Sequence, residues 1–348
     1  MAEPQISPQV SVLMSAYNAE AHLHDAVESI LGQTFTDFEF IIVDDGSTDA
    51  TPAILASCGD PRIRILTNDR NVGLTASLNR GLAVCRGAYV ARQDADDRSL
   101  PQRLEKQVRW LGEHPEVALV GTAYRAFDEA RGIDAIHRLP ATDGAIRWHM
   151  LFHNAFCHSS VMFRAEATGR HGSSYDETLP FAQDYEFWQR LLQSGRGANL
   201  PDPLVEHRVH GDAITSTRFA EQQAVADEIA RRQLARLLGE DRVGTLDIRR
   251  LRLWFQRLPD DLSWRDLRDV AIFFELLDRL AATECIGDDE LATLRRALQV
   301  RFARVLGFPM VILAQKTGFL CGDGALRNWL RAHLPLRLRS AVRADVPR

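Results

Sequence analysis

The sequence contains little cysteine, and the cysteines it has are scattered. Five stand at positions 58, 85, 157, 285 and 321 of 348, and they form no Cys-x-x-Cys pair. An odd number of widely spaced cysteines does not form a disulfide framework and argues against a structural zinc site. We therefore expect reduced, buried thiols in a cytoplasmic protein.

Long apolar runs are also missing. The longest covers residues 305–314 and is interrupted by Gly307 and Pro309, whereas a membrane-spanning helix needs about 20 consecutive apolar residues. The first residues show no basic stretch followed by an apolar one, which is the pattern of a secretory signal. We expect no segment of this sequence to span a membrane.

Positive charge is not in excess, because 42 lysines and arginines face 47 aspartates and glutamates, for a formal net charge of −5. Nucleic-acid binding requires a basic surface, so we expect no nucleic-acid partner. Residues 325–348 differ, with six arginines and one acid, Asp345, among leucines and Trp329. This tail suits either peripheral contact with the anionic inner face of the cytoplasmic membrane or a helical hairpin with solvated arginines.

Strand and helix patterns alternate over the first hundred residues. Short apolar runs typical of buried parallel strands occupy residues 10–15, 38–43, 63–67 and 89–92. Residues 19–33 and 74–84 carry apolar side chains at helical spacing, and 47–57 begin with Ser, Thr and Asp residues that cap helices. This alternation predicts an α/β fold with a parallel, doubly wound sheet.

The alternation loosens further along the chain. We expect a helix over 101–114 and a strand over 117–127, followed by polar loops with His153, Asn154 and His158 that suit an acceptor site. A helix over 181–193 comes next. Beyond residue 212 the pattern is helical up to residue 304, which places a domain boundary near residue 216.

Acidic and hydroxyl side chains stand where the predicted strands end. Ser15 closes the first strand, Asp45 follows the second, and Asp94, Asp96 and Asp97 follow the fourth. Ligands of open α/β sheets bind at the carboxyl ends of the strands, and clustered carboxylates repel one another unless a cation or proton neutralises them. The cluster predicts a metal-assisted ligand site, although a solvated turn that caps the next helix would use the same residues.

Five segments in order resemble the family 2 glycosyltransferases, inverting enzymes of GT-A fold. They are VSVLMSAYNAE, FEFIIVDDGSTD, NDRNVGLTASLNRGL, YVARQDADD and FAQDYEFWQRL. The resemblance covers about residues 8–215 and implies a Rossmann-like, mostly parallel catalytic domain over 1–215. Nucleotide-sugar binding would occupy about 1–105 and the acceptor side 106–215, and a mainly α-helical region, 216–348, would follow.

The resemblance implies contacts to the nucleotide. Ser15 and Tyr17 would line the base pocket, with the ring of Tyr17 stacked on the base, and Asp45 would hydrogen-bond the base or ribose. We choose Asp45 over Asp44 because strand alternation predicts that Asp44 is the less exposed of the two. Asn71 would make a further contact on the nucleotide side.

The resemblance also implies contacts to the ribose, the diphosphate and a metal. Asp94 would contact the ribose, and Asp96 would bind Mn²⁺ or Mg²⁺ with help from His210, next to donor phosphates that Arg208 approaches. A metal that bridges a diphosphate needs few protein ligands. For a lone histidine such as His210, a purely structural role is the alternative.

Asp184 is the predicted general base. Inversion requires a base that removes the proton of the acceptor hydroxyl as its oxygen attacks the anomeric carbon. The family has an acidic pair at the start of a helix, and here Gln183 precedes Asp184, so the second carboxylate is retained. The alternative is an ordinary helix-start residue favoured by the macrodipole.

We therefore predict an inverting, metal-dependent transferase that moves a single sugar from a UDP-linked donor to a glycan or lipid-linked acceptor in polysaccharide biosynthesis. The Gln-x-x-Arg-Trp motif of processive synthases is missing at its usual place. Two alternatives stay open. One is a catalytically silent nucleotide-sugar-binding scaffold, and the other is a sugar-phosphate nucleotidyltransferase, for which residues 11–20 lack a basic glycine-rich loop.

Overall fold

A computed structural model describes residues 7–128, 130–168, 174–209, 218–259, 266–284 and 286–306. The chain divides into two compact units, with the border between Gln233 and Leu234. The predicted boundary near residue 216 stays a prediction, and the arginine-rich tail lies outside the described residues. None of the helices in the described ranges is long and apolar enough to cross a membrane.

In the described part of the first unit, nine strands form one mixed sheet. They are β1 (Val10–Ala16), β2 (Phe38–Asp44), β3 (Ile63–Thr67), β4 (Tyr89–Asp94), β5 (Arg98–Ser99), β6 (Val117–Asp128), β7 (Ile133–His137), β8 (Met162–Arg164) and β9 (Arg196–Arg208). Their order is β3-β2-β1-β4-β8-β6-β9-β5, with β7 paired to β6. The first four run parallel, as predicted. The other half is mixed, because β8 lies antiparallel between β4 and β6.

Helices connect the strands and make up the second unit. The first six are α1 (Leu23–Leu31), α2 (Thr51–Ser57), α3 (Leu74–Leu82), α4 (Arg103–Glu113), α5 (Asp143–Met150) and α6 (Gln183–Leu191), all in the first unit. They are followed by α7 (Phe219–Leu238), α8 (Glu240–Val243), α9 (Ile248–Gln256), α10 (Leu267–Glu284) and α11 (Asp288–Leu306). The predicted helical C-terminal region is confirmed over the ranges that the structure describes.

The central strands are buried on both faces, which explains their nearly continuous apolar sequences. In β1, Val12 and Met14 belong to one apolar cluster together with side chains of α1 and α4. Leu13, between them, belongs to a second cluster with side chains of α3 and α6. Both faces of the sheet are therefore covered by helices, and polar side chains can reach a ligand only where the strands end.

Two predicted helix starts are wrong. α1 begins at Leu23 rather than residue 19, and α2 begins at Thr51 rather than residue 47. The residues in front of them connect two loops instead. The Thr48 N–H donates to Asn18 Oδ1 at 2.9 Å, and the Asn18 N–H donates to Ser47 Oγ at 3.0 Å. Ser47 therefore joins the loops after β1 and β2 and does not cap α2.

Gly46 allows the loop after β3 to approach the end of β2. Its φ of 68° lies in the left-handed region, and an added Cβ would lie 2.4 Å from the Arg70 carbonyl carbon. A backbone atom cannot move aside as a flexible side chain can. We expect Gly46→Ala to lower the free energy of unfolding by about 1–3 kcal/mol in equilibrium denaturation, because it combines backbone strain with a clash.

Gly112 in α4 provides the matched control, because an added Cβ there has no neighbouring atom within 4 Å. Gly112→Ala should raise the free energy of unfolding by about 0.5–1 kcal/mol, since alanine is the better helix former. Equal effects of the two substitutions would contradict the role given to Gly46.

Candidate active site

A pocket of about 470 Å³ lies where β4 ends and where α3 and α6 begin. It is lined by residues 72–76, Asp94, Asp96, His158, Glu177, residues 179–184, His207 and Gln222, all in the first unit. Cavities of about 670 and 550 Å³ lie along α11 and along α9 with the residues that follow it, and neither brings several carboxylates together. Converging ionisable groups mark functional pockets, so we place the site in the first unit.

Asp94 ends β4, and its carboxylate is held from two sides. Oδ1 pairs with the Arg92 guanidinium, and Oδ2 accepts a hydrogen bond from Ser159 Oγ at 2.6 Å. Burial is the largest single effect and favours the neutral acid, but the charge of Arg92, together with the nearby histidine rings and the Ser159 hydrogen bond, outweighs burial and holds the pKa of Asp94 well below its usual range. Asp94 therefore presents a negative charge to the pocket at neutral pH.

Arg92 is 1% exposed and also orients a histidine. Its Nε donates to His158 Nε2 at 3.2 Å, which leaves the ring proton on Nδ1, 3.6 Å from Asp94 Oδ2. Burial and the Arg92 charge lower the pKa of His158 to about 3, so this ring is neutral at pH 7. His158 contributes a donor toward Asp94 without a second positive charge.

Asp97, the third acid of the cluster, does not line the pocket and is 1% exposed. Its carboxylate shares the single Ser159 Oγ proton with Asp94, and it accepts hydrogen bonds from the Arg208 N–H at 2.9 Å and from His207 Nδ1 at 3.0 Å. Burial is the largest single effect and opposes charge on the His207 ring, but the hydrogen bond to Asp97 and the charges of Asp97, Asp94 and Asp96 together outweigh it and raise the pKa of His207 to about 9. The pocket is therefore lined by one cationic ring at neutral pH.

Asp96 lines the pocket beside Asp94. No group of three or more His, Cys, Asp or Glu side chains suited to a metal ion occurs within the described ranges. Mg²⁺ and Mn²⁺ are commonly held by one or two carboxylates, with substrate phosphates completing the coordination. The two carboxylates fit such a site, and the role of Asp96 as the metal ligand stays a prediction.

Arg208 supports the carboxylate loop and does not line the pocket. Its Nε donates to the Asp96 carbonyl at 3.2 Å, Nη2 lies 3.6 Å from Asp25 Oδ2, and the guanidinium carbon lies 4.7 Å from the centroid of the Phe127 ring. The predicted contact of Arg208 with donor phosphates stays a prediction. The predicted ligand His210 lies outside the described residues.

Asp45 fixes the loop between β3 and α3. Its Oδ1 accepts from Asn68 Nδ2 at 2.7 Å and from the Val72 N–H at 2.9 Å, and its Oδ2 accepts from the Gly73 N–H at 2.9 Å. Asp44 and Asp45 are each 1% exposed, so the prediction that Asp44 is the less exposed was wrong. Strand alternation ends at Asp44, and the loop closes over the next residue.

Ser15, Tyr17 and Asn71 lie near the ends of the parallel strands but do not line the pocket. Ser15 is buried and stands opposite Asp94 in the β1–β4 register. The ring of Tyr17 is 48% exposed, which leaves it open to stacking, and Asn71 is exposed in the loop that Asp45 holds. The nucleotide contacts predicted for these three residues stay predictions.

Asp184 lines the pocket from the first turn of α6. Its Oδ1 accepts from the Tyr185 N–H at 2.8 Å, and its Oδ2 accepts from Asn154 Nδ2 at 2.7 Å. Burial, reinforced by the charge of Asp94, raises the pKa of Asp184 to about 6. The structure thus brings together a low-pKa acid and a high-pKa acid in one pocket, an arrangement typical of acid–base catalysis.

Three predicted site residues, Asp94, Asp96 and Asp184, meet in this pocket. Sequence reasoning gave no role to Arg92 or His207, and it placed Asp97 in the acidic cluster and Asn154 and His158 in polar loops without assigning them individual roles. Arg92 could have been found, because a charge inside a buried strand requires a partner. The contacts of the other four carry no local signal, since their partners lie far away in the sequence.

Comparisons with known proteins agree with this fold. Two solved structures share the fold, which confirms the predicted GT-A type. One is residues 1–349 of S. aureus TarS with UDP-GlcNAc, which has a TM-score of 0.57, 16% identity and coverage of 90% of this chain and 92% of that chain. The other is the mannosyltransferase PcManGT of Pyrobaculum calidifontis with GDP-Man and Mn²⁺, which has a TM-score of 0.53, 18% identity and coverage of 91% and 88%.

Sequence comparison gives a closer relationship. The amylovoran biosynthesis glycosyltransferase AmsE of Erwinia amylovora is 36% identical over 213 residues, which are 60% of this chain and 79% of AmsE. Residues 11–169 match the family model described as Glycosyl transferase family 2. The chain therefore belongs to glycosyl transferase family 2.

Proposed function

We propose that this glycosyltransferase is inverting and metal-dependent and moves one sugar from a UDP-linked donor to a glycan or lipid-linked acceptor in polysaccharide biosynthesis. The observation that carries the proposal is the position of Asp184, which lines the same pocket as Asp94 and Asp96 and has a pKa raised to about 6. UDP-GlcNAc in the TarS structure and the role of AmsE in amylovoran biosynthesis support the donor and the pathway class.

Asp184 would act as the general base. Its carboxylate takes the proton of the acceptor hydroxyl while that oxygen bonds to the anomeric carbon, and the bond from the anomeric carbon to the phosphate oxygen breaks. The nucleoside diphosphate leaves with the bonding electrons. A base with a pKa near the working pH is favourable, because it is mostly ionised and still binds a proton appreciably.

Asp96 would bind Mn²⁺ or Mg²⁺ together with the donor diphosphate, as the Mn²⁺ complex of PcManGT suggests. When bound, the cation neutralises the charge that develops on the leaving phosphate. The protein's own part is to hold the Asp96 backbone through Arg208 and to keep Asp94 ionised beside it. The cationic ring of His207 adds positive charge near an anionic donor.

A donor screen tests the overall proposal. The protein is incubated with Mn²⁺ and a panel of UDP-, GDP- and dTDP-sugars, and slow hydrolysis to free nucleotide is followed. Release from a UDP-sugar is the expected result. UDP binding by calorimetry without turnover of any donor or transfer to any acceptor would favour the nucleotide-sugar-binding scaffold instead.

Asp184→Asn should reduce transfer, measured as nucleotide release with an accepted sugar, by about 10²–10⁴-fold, the usual contribution of a positioned base. Donor affinity should stay within about twofold, since the amide keeps the size of the side chain. The matched control is Glu186→Gln on the same helix, because Glu186 pairs with Arg190 and does not line the pocket. Full activity of Asp184→Asn would exclude it as the base.

Asp96→Ala should remove the Mn²⁺-dependent part of UDP affinity, at least about tenfold or 1.4 kcal/mol. Calorimetric titrations of UDP with and without Mn²⁺ measure this part directly. Asp202→Ala is the control, because it removes a half-exposed carboxylate on β9 that pairs with Lys106 of α4. An unchanged Mn²⁺ effect in Asp96→Ala would mean that the metal ligand lies elsewhere.

A further inference from the structure

The backbone on both sides of Asn154 is fixed by other side chains. Tyr185 Oη on α6 donates to the Met150 carbonyl at 2.8 Å. Asn199 Nδ2 on β9 donates to the Ala155 carbonyl at 3.0 Å. Each of these contacts replaces water at a buried carbonyl. Asn154 therefore projects from a segment held against the helix that carries Asp184.

The orientation of the Asn154 amide follows from its two contacts. Its Oδ1 accepts a hydrogen bond from the Phe156 N–H at 3.1 Å, so its Nδ2 faces Asp184 Oδ2 at 2.7 Å. The flipped amide would set an oxygen against a carboxylate and an NH₂ group against an N–H, two repulsive contacts. Only one orientation satisfies both neighbours, and it directs a donor at the carboxylate.

We propose that Asn154 is a positioning residue that orients the Asp184 carboxylate and keeps it ionised. Asn154 occupies one lone pair of Oδ2, and the Tyr185 N–H occupies one lone pair of Oδ1. A carboxylate oxygen has two lone pairs, so each oxygen keeps one for a substrate hydroxyl. The inference rests on the proposed function only in giving Asp184 the role of base.

The charge of Asp94 favours the neutral form of Asp184, the charge of Arg92 favours the ionised form, and the cationic ring of His207 is bonded to Asp97. The titratable and charged groups near it are Asp94 and Arg92 on β4, Tyr175, and the pocket-lining Asp96, His158, Glu177 and His207. Asp94 is ionised and repels a second carboxylate, Arg92 pairs with Asp94, and His158 is neutral. A hydrogen bond to the charged form favours that form, and Asn154 supplies such a bond.

The first test is the pH profile of nucleotide release. In the wild-type protein we expect activity to fall below about pH 6, where Asp184 becomes protonated. Asn154→Ala should move this limb upward by about one pH unit, with the donor KM within about twofold and activity mostly recovered above the new limb. Asn154→Asp, of nearly the same size, should move the limb further, because a second carboxyl would then lie next to Asp184.

Asn79→Ala is the matched control. Asn79 binds the 175–177 segment beside the same pocket, through the Tyr175 carbonyl at 2.9 Å and Glu177 Oε1 at 2.8 Å. Its loss should alter the pocket wall without moving the pH limb. An equal shift in Asn79→Ala and Asn154→Ala would assign the effect to general loosening and overturn the proposal.

A second test needs no substrate. The folded-state pKa of Asp184 is raised, so ionisation costs stability, and the wild type should lose stability relative to Asp184→Asn as the pH rises through about 4 to 6. When Asn154→Ala is added to both the wild type and Asp184→Asn, this difference in stability between the two should continue to grow up to a higher pH. Urea denaturation at a series of pH values measures all four proteins.

The two tests distinguish a failure of the role proposed for Asn154 from a failure of the proposed function. If Asn154→Ala leaves both the pH limb and the pH range of the stability loss unchanged, Asn154 does not position Asp184. If no donor is turned over but the stability loss moves to higher pH, the role of Asn154 stands and the proposed function fails.

Discussion

The buried carboxylate of Asp97 joins three separate parts of the chain. It lies just after β4, and its partners are Ser159, 62 residues away, and His207 and Arg208, 110 and 111 residues away. An unpaired buried charge costs several kcal/mol, so these contacts tie the turn that carries Asp96 to the end of β9. The geometry of the carboxylate loop is therefore set by long-range packing rather than by the sequence of the loop.

Different surroundings shift the pKa values of two acids of the same pocket in opposite directions, downward for Asp94 and upward for Asp184. Asp94 lies against the Arg92 guanidinium, and the Arg92 backbone is held in turn, because Arg103 Nη2 donates to the Arg92 carbonyl at 2.7 Å. Arg103 is fully buried, and burial lowers its pKa to about 9, which still leaves it charged at neutral pH. Asp184 is half-buried with hydrogen-bond donors, and no ion pair to it occurs among the residues that the structure describes. A permanent anion suits cation or hydroxyl binding, whereas an acid that titrates near neutral pH suits proton transfer.

Local sequence patterns predicted the residues at strand ends but not those that hold them. Asp94 and Asp96 could be found because apolar runs mark strands, and carboxyl ends of parallel strands share one edge. Asn154 and His207 could not, since their partners lie 30 and 110 residues away and no periodicity encodes such pairs. The predicted helix starts and the predicted exposure of Asp45 were wrong for a related reason. Hydrogen bonds between neighbouring loops take the place of the helix cap predicted at Ser47 and of the solvent predicted around Asp45.

The start of α6 shows how the carboxyl group of Asp184 acquires a pKa of about 6. Ala182, directly before the helix, has φ 52° and ψ 25°, a left-handed conformation that costs an alanine about 1–2 kcal/mol. This kink lets the helix begin abruptly, so that Asp184 falls in its first turn, where free N–H groups and the macrodipole favour an anion. Burial acts in the opposite direction and is the larger effect. Because the two oppose each other, Asp184 stays titratable near neutral pH, which neither effect would achieve alone.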